Sequence, residues 1–145
     1  AISSAASDVY KRQGLNLGEN AKSALISRSF AEMTRYAKKF KADKNTLFGL
    51  SGLGDLILTC SSKNSRNTQF GIKLASSKYD NFLDLLKSQE VTEGYYTVKA
   101  VYNISQKKNI DMPIMESVYN ILYKQHDLKE ELSNLLSRPI TEEKI

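Results

Sequence analysis

Polar side chains that could bind a small anionic molecule are concentrated in residues 50–71, which read LSGLGDLILTCSSKNSRNTQFG. Asp55 directly precedes a run of mostly apolar residues there. A carboxylate at such a position needs a partner, because burying an unpaired charge is costly. It could cap the free N–H groups of a helix, or it could accept a hydrogen bond from a substrate hydroxyl or a neighbouring ammonium group. The residues alone leave both interpretations open.

A hydroxyl, a guanidinium and an amide follow ten residues after Asp55, at Ser65, Arg66 and Asn67. They stand just before an apolar helical segment, so the free N–H groups and the dipole of a helix start could add to them. Arg66 offers a bidentate donor fork that suits a phosphate group. The triplet could therefore form a phosphate clamp, although composition alone favours an ordinary capped surface turn.

Other conspicuous residues favour structural roles. Gly52 and Gly54 lack the third glycine and the preceding strand of a dinucleotide-binding loop, so close backbone approach at a helix start explains them better. Cys60 is expected to be a small buried side chain without a local base. His126, the single histidine, is expected at the surface or in a helix cap, and no metal site is predicted. Packing suffices to explain five tyrosines on helical faces: Tyr95, Tyr96, Tyr102, Tyr119 and Tyr123.

Helical periodicity predicts an all-α fold of about seven helices in one domain, without an internal repeat. Asn20 is the expected N-cap of the first helix, which runs to about Asp43. Its predicted core face is spaced by three and four residues: Ile26, Phe30, Met33, Ala37 and Phe40. Four further helices are expected over 46–50, within 51–60, over 68–75 and over 81–88, and the one within 51–60 is expected to be buried. Three more are expected to begin at Glu93, at Pro113 and after an N-cap at Asp127. The predicted core comprises Ile26, Phe30, Met33, Leu56, Ile57, Val118, Leu122 and Leu132.

Composition narrows the class of protein. The chain has 145 residues and a net charge of +5, with 21 basic and 16 acidic side chains and one cysteine. No apolar run has the roughly 18 residues of a membrane span, and the N-terminus does not resemble a signal peptide. We expect a soluble, reduced, cytoplasmic domain. The basic excess lies mainly in Arg35, Lys38, Lys39, Lys41 and Lys44, which indicates a solvated helix end; a nucleic-acid interface is the alternative, but no reader motif accompanies it.

Three segments together resemble the C-terminal domain of bacterial NAD(P)-dependent glycerol-3-phosphate dehydrogenase. They read LGENAKSALISRSFAEMTRYAKKF, FGLSGLGDLILTCSSKNSRNTQFG and VTEGYYTVKAVYNISQKKNIDMPIMESVYNILY. The similarity runs from about Gly14 to about Leu136. The resemblance implies an all-α domain like the C-terminal domain of 6-phosphogluconate dehydrogenase. It also implies an oxidoreductase that interconverts dihydroxyacetone phosphate and sn-glycerol 3-phosphate in phospholipid biosynthesis.

The resemblance also implies roles for individual residues. Asp55 matches the family's substrate-binding aspartate, and Ser65, Arg66 and Asn67 match its substrate-phosphate residues. Arg66 also matches a cofactor contact, as do Val91 and Glu93. The implied partners are a phosphorylated three-carbon substrate, NAD or NADP, and an N-terminal Rossmann domain that binds most of the cofactor. A homodimer is left open, and neither nucleic acid nor membrane insertion is expected.

The chain departs from the family pattern at its start. No glycine-rich cofactor loop is present, and the register of the family's catalytic lysine falls on Ile2. Residues 3–13 do not resemble the family. We therefore expect a non-family segment over 1–13, a helical substrate-binding domain over 14–138 and a tail over 139–145. This reading predicts a fragment without activity of its own; a non-enzymatic all-α binding or scaffold domain is the alternative.

Overall fold

A computed structural model describes Tyr10 and residues 17–43, 45–46, 49–62, 66–76 and 93–138. These ranges include six α-helices and one π-helical turn and contain no strand. The predicted all-α fold is therefore confirmed. The helices are α1 (Leu17–Lys39), α2 (Asp55–Ser61), α3 (Arg66–Ser76), α4 (Glu93–Lys108), α5 (Pro113–Tyr123) and α6 (Leu128–Leu136), and the π-helical turn is Leu50–Gly54. The helix expected over 81–88 lies outside the described residues.

Helix α1 is the central element, because it packs against α2, α5 and α6. The core between α1, α5 and α6 consists of buried Ala21, Leu25, Ile114, Leu132 and Leu135. Leu25 and Leu132 have no exposed surface at all. Helix α4 packs against α5. None of the described helices is long and apolar enough to cross a bilayer.

The core-facing stripe of α1 also carries charged residues that bind the ends of other helices. Arg28 donates to the carbonyl of Leu135 in the last turn of α6. Glu32 accepts from the backbone N–H groups of Ile114 and Met115 in the first turn of α5, at 2.9 and 3.1 Å. Arg35 donates through Nε to the carbonyl of Asp111 at 2.8 Å. Because helix ends leave backbone groups without intrahelical partners, these contacts join α1 to α5 and α6 at fixed positions.

The face of α1 that packs against the other helices differs from the predicted one. Its residues Ala21, Leu25, Arg28, Glu32 and Arg35 recur every three or four positions, as a helical face requires. The apolar face chosen from the sequence is rotated from it: Phe30 is buried, but Ile26 and Met33 are only half-buried. Hydrophobic periodicity missed the stripe because its polar members bind backbone groups, a pairing that leaves no apolar signal.

The bounds of α1 also differ from the prediction. The helix begins at Leu17, which places Asn20 inside its first turn rather than at the cap. It ends at Lys39 in a Schellman motif, in which Ala42 N–H donates to Ala37 O and Lys41 N–H donates to Lys38 O. Lys41 has a φ of 58° in this motif. Phe40 thus lies beyond the helix and is exposed, not part of its core face.

The residues that predicted the starts of α4, α5 and α6 are found at those helix starts. Pro113 stands in the first turn of α5, as predicted. Asp127 is the N-cap of α6, and its carboxylate accepts from the N–H of Glu130 at 3.0 Å. Helix α4 begins at Glu93, as expected, and Asn109 follows its end with a φ of 53°.

The predicted core is partly confirmed. Phe30, Leu122 and Leu132 are buried, whereas Leu56 and Val118 are half-buried. The prediction that Ile57 is buried is wrong, because 46% of its surface is exposed. Its neighbour Leu58 is 68% exposed, so α2 is a surface helix rather than the buried helix expected over 51–60.

The tyrosines form a continuous stack between α4 and α5. Tyr102 stacks on Tyr119 with ring centroids 3.8 Å apart, Tyr119 contacts Tyr123 at 5.0 Å, and Tyr123 stacks on Tyr95 at 4.6 Å. The Tyr123 hydroxyl donates to the carbonyl of Tyr95. Burial of that hydroxyl, followed by the proximity of Tyr95, raises the pKa of Tyr123 to about 12. Packing therefore accounts for these four rings, while Tyr96 at the end of the stack is exposed.

Candidate functional site

Asp55 stands where the π-helical turn passes into α2. Gly54 N–H donates to Gly49 O at 3.3 Å, a bond that spans five residues and closes the π-helical turn. Gly52 in this turn is buried. Such turns occur frequently at functional sites. Gly52 and Gly54 thus belong to a π-helical turn that leads into α2, and the expected close backbone approach stays a prediction.

The carboxylate of Asp55 does not occupy the N-cap position. Gly54 is the N-cap of α2 and makes no side-chain cap bond, and Asp55 is the first helical residue. The side chain of Asp55 is exposed. An acidic group in a first turn is stabilised by the helix dipole, and exposure leaves this carboxylate accessible to a ligand. Asp55 is thus not the N-cap of α2, and its role as an acceptor for a ligand stays a prediction.

The residues of the expected phosphate clamp stand at the start of the next helix. Helix α2 ends at Ser61, Ser62 is extended, and α3 begins at Arg66. Arg66 and Asn67 are therefore the first two residues of an 11-residue helix. Ser65 and the side chains of Arg66 and Asn67 lie outside the described part of the structure.

The expected cofactor residues are placed only in part. Glu93 is the first residue of α4, and its side chain is outside the described residues, as is the whole of Val91. Asp55, Arg66 and Glu93 thus each open a helix. Convergence of their side chains on one ligand stays a prediction.

The residues with expected structural roles behave differently from one another. Cys60 is half-buried rather than fully buried. His126 lies in the α5–α6 connection with its Nδ1 2.8 Å from Glu131 Oε1, in agreement with a surface role. Within the described ranges, no group of three or more His, Cys, Asp or Glu side chains could hold a metal ion.

Glu32 is a buried acidic residue of α1 that was missed in the sequence. It is buried, with 3% of its surface exposed, and it anchors α1, on which α2 packs. Burial raises the pKa of Glu32 to about 7, despite its hydrogen bonds from Met115 and Ile114 and the nearby Arg35, which lower it. The signal that could have found it is its position seven residues after Leu25, on the same helical face.

The fold and the placement of these residues define the class of protein. It is an all-helical domain in which candidate ligand-binding residues are the first residues of helices. A family model described as the C-terminus of NAD-dependent glycerol-3-phosphate dehydrogenase matches residues 10–133. The chain therefore belongs to this family and corresponds to its C-terminal part. The resemblance noted in the sequence is confirmed.

Individual relatives agree with the family match. The chain is 43% identical over 132 residues to glycerol-3-phosphate dehydrogenase [NAD(P)+] of Limosilactobacillus reuteri, covering 90% of this chain and 38% of that protein. It is 46% identical over 131 residues to the enzyme of the same name from Ligilactobacillus salivarius, with the same coverage. The crystal structure of glycerol-3-phosphate dehydrogenase from Coxiella burnetii superimposes with a TM-score of 0.77 at 36% identity, covering 94% of this chain and 41% of that one. The chain thus spans about two fifths of the length of these relatives.

Proposed function

We propose that this chain forms the substrate-binding part of a glycerol-3-phosphate dehydrogenase, which interconverts dihydroxyacetone phosphate and sn-glycerol 3-phosphate. The observation that carries the proposal is the order of two helix starts: Asp55 opens α2, and Arg66 with Asn67 opens α3 directly after it. Helix α2 has seven residues, so its two ends are only about 9 Å apart. Residues 62–65 connect α2 to α3, and the proposal requires both helix starts to lie within reach of one three-carbon ligand.

Each residue has a distinct task in this proposal. The Arg66 guanidinium and the free N–H groups at the start of α3 bind the substrate phosphate, together with Ser65 and Asn67. The Asp55 carboxylate accepts from a substrate hydroxyl, which sets the direction of the carbon chain. Val91 and Glu93 contact the cofactor, where a carboxylate can accept from ribose hydroxyls.

The cofactor, NAD or NADP, supplies the hydride when it is bound. In this proposal the residues of this chain bind and orient the substrate, and the register of the family's catalytic lysine falls on Ile2, whose side chain cannot transfer a proton. A Rossmann domain is the proposed partner for cofactor binding, and the cytoplasm is the proposed location. A homodimer is compatible with this arrangement and can be measured by analytical ultracentrifugation.

Calorimetric titration of the 145-residue chain with sn-glycerol 3-phosphate tests the proposal. We expect Arg66→Ala to weaken binding roughly ten- to hundredfold, because a charge-assisted bidentate contact is lost. Arg66→Lys should also weaken binding, since an ammonium group does not reproduce the fork. The matched control is Arg138→Ala, which removes the same charge from an exposed residue next to α6.

Asp55→Asn separates the two halves of the site. It should weaken binding of sn-glycerol 3-phosphate but leave binding of inorganic phosphate unchanged, because only the hydroxyl contact is altered. The control here is Glu116→Gln, an exposed acidic residue in the first turn of α5. Equal affinity of Arg66→Ala and the native chain would contradict the phosphate clamp and would favour the scaffold alternative.

A further inference from the structure

The C-terminal ends of α1 and α4 meet and form a basic surface that the proposed function does not use. Three of its lysines, Lys38, Lys39 and Lys41, come from the end of α1, and Lys107 and Lys108 come from the end of α4. All five side chains are exposed. We call this surface the lysine end.

Two contacts hold these helix ends together. The ammonium group of Lys108 lies over the ring of Phe40, 5.4 Å from its centroid. Arg35 of α1 donates to the carbonyl of Asp111, three residues after the end of α4. The sequence places the two lysine groups about 70 residues apart, so only the tertiary structure makes them one surface.

Within the described ranges, the carboxylates near the lysine end are fewer than its lysines. Among the described residues at this end, the exposed carboxylates are those of Asp43 and Asp111. The five lysines therefore carry more positive charge than these two carboxylates balance. The resulting positive field favours an anionic partner.

Phe40 adds an apolar element to the centre of this surface. It is 48% exposed and is held rigidly at the Schellman end of α1. Tyr36 packs against its ring at a centroid distance of 4.9 Å, and Lys108 covers the ring as described. A ring with these two neighbours is a poor platform for stacking a nucleobase, but its exposed part can enter an apolar interface.

We propose that the lysine end binds the surface of an anionic phospholipid bilayer. Lysine ammonium groups act as point charges, which suits a diffuse layer of lipid headgroups. Nucleic-acid phosphates are contacted more often through arginine forks and the N–H groups of helix starts, and both helices end rather than begin at this surface. An exposed aromatic side chain among lysines is a combination that favours the membrane interface.

Sedimentation of the 145-residue chain with large vesicles tests this inference. Vesicles of phosphatidylcholine alone are compared with vesicles that contain phosphatidylcholine and phosphatidylglycerol in a two-to-one ratio. We expect partitioning only onto the mixed vesicles, weakening as salt is added. The double variant Lys38→Gln/Lys39→Gln should lower the partition coefficient roughly 25-fold, because each lysine near such a surface contributes about fivefold.

Three further variants make the result specific. Lys107→Gln/Lys108→Gln should have a similar effect from the other helix. Lys99→Gln/Lys129→Gln removes the same charge from exposed residues elsewhere and should stay close to the native value. Phe40→Ala should weaken binding by a factor that does not depend on salt.

Several outcomes would overturn the inference. One is equal partitioning of the native chain onto both kinds of vesicle. Another is an equal loss of vesicle binding in the Lys99→Gln/Lys129→Gln control and in the lysine-end variants. A third is binding of a labelled single-stranded oligonucleotide that, at the same salt, exceeds vesicle binding and is lost in Lys38→Gln/Lys39→Gln. That last result would assign the surface to nucleic acid instead.

Discussion

Replacement of Glu32 tests the reasoning about how α1 is fixed to α5. In the native chain the buried carboxylate accepts two backbone N–H groups of α5, at 2.9 and 3.1 Å. Glu32→Gln keeps the shape but places an amide NH₂ against one of these donors. Leaving a buried donor without an acceptor costs about 1–3 kcal/mol. We expect Glu32→Gln to lower the free energy of unfolding by about this amount at pH 4.5, where the native carboxyl is mostly neutral but its hydroxyl oxygen, unlike an amide nitrogen, can still accept from the second N–H.

The pH dependence of this difference follows from the raised pKa. Burial raises the pKa of Glu32 from 4.5 to about 7 in the folded state. A carboxyl with a raised folded-state pKa contributes most stability at low pH and loses it as the pH rises through about 7. A shift of this size corresponds to about 3 kcal/mol. The advantage of the native chain over Glu32→Gln should therefore shrink between pH 4.5 and 8, and near pH 8 the two should have similar stability.

Urea unfolding followed by circular dichroism at a series of pH values measures this difference. Glu116→Gln is the control, because Glu116 is exposed in the first turn of the same helix that Glu32 caps. Its stability relative to the native chain should change little with pH. If the difference between the native chain and Glu32→Gln were constant from pH 4.5 to 8, the argument that burial raises this pKa would be refuted.

Three other predictions concern helix ends and activity. Lys41→Gly should stabilise the fold by about 1 kcal/mol in urea unfolding, because Lys41 has a φ of 58° that glycine adopts without strain. Asn109→Gly should stabilise the fold less than Lys41→Gly, because asparagine tolerates a positive φ better than lysine does. Equal stabilisation by the two substitutions would contradict this reasoning. Asp127→Ala should lower stability by about 1 kcal/mol through loss of the α6 cap, visible as a lower melting temperature. The 145-residue polypeptide, given dihydroxyacetone phosphate and NADH or NADPH, should oxidise the cofactor no faster than background, and enzymatic turnover would refute the fragment interpretation.

Part of the candidate site could be predicted because its signals are local. Asp55 and Arg66 were expected close to helix starts, and both open helices. Pro113 and Asp127 likewise marked the starts of α5 and α6. A cap or a first-turn residue depends on a few neighbouring backbone groups, so a short segment contains most of the information.

Other features depended on partners that are distant in the chain. Ile57 has the residue type of a core position, yet it is exposed, because no described element covers that side of α2. Whether an apolar side chain on a short helix is buried depends on what packs over it. The residue type and its spacing cannot supply that information.

The sequence by itself determined the helical class, the starts of α4, α5 and α6 and, through its motifs, the glycerol-3-phosphate dehydrogenase family. The tertiary structure decided which face of α1 points inward, and it gave Glu32 its burial and its partners on α5. It also joined Lys38 and Lys108 into one basic surface. The physical reason is the range of the interactions: helix formation and capping act within a few residues, whereas burial, pKa shifts and surface charge arise from groups that only folding brings together.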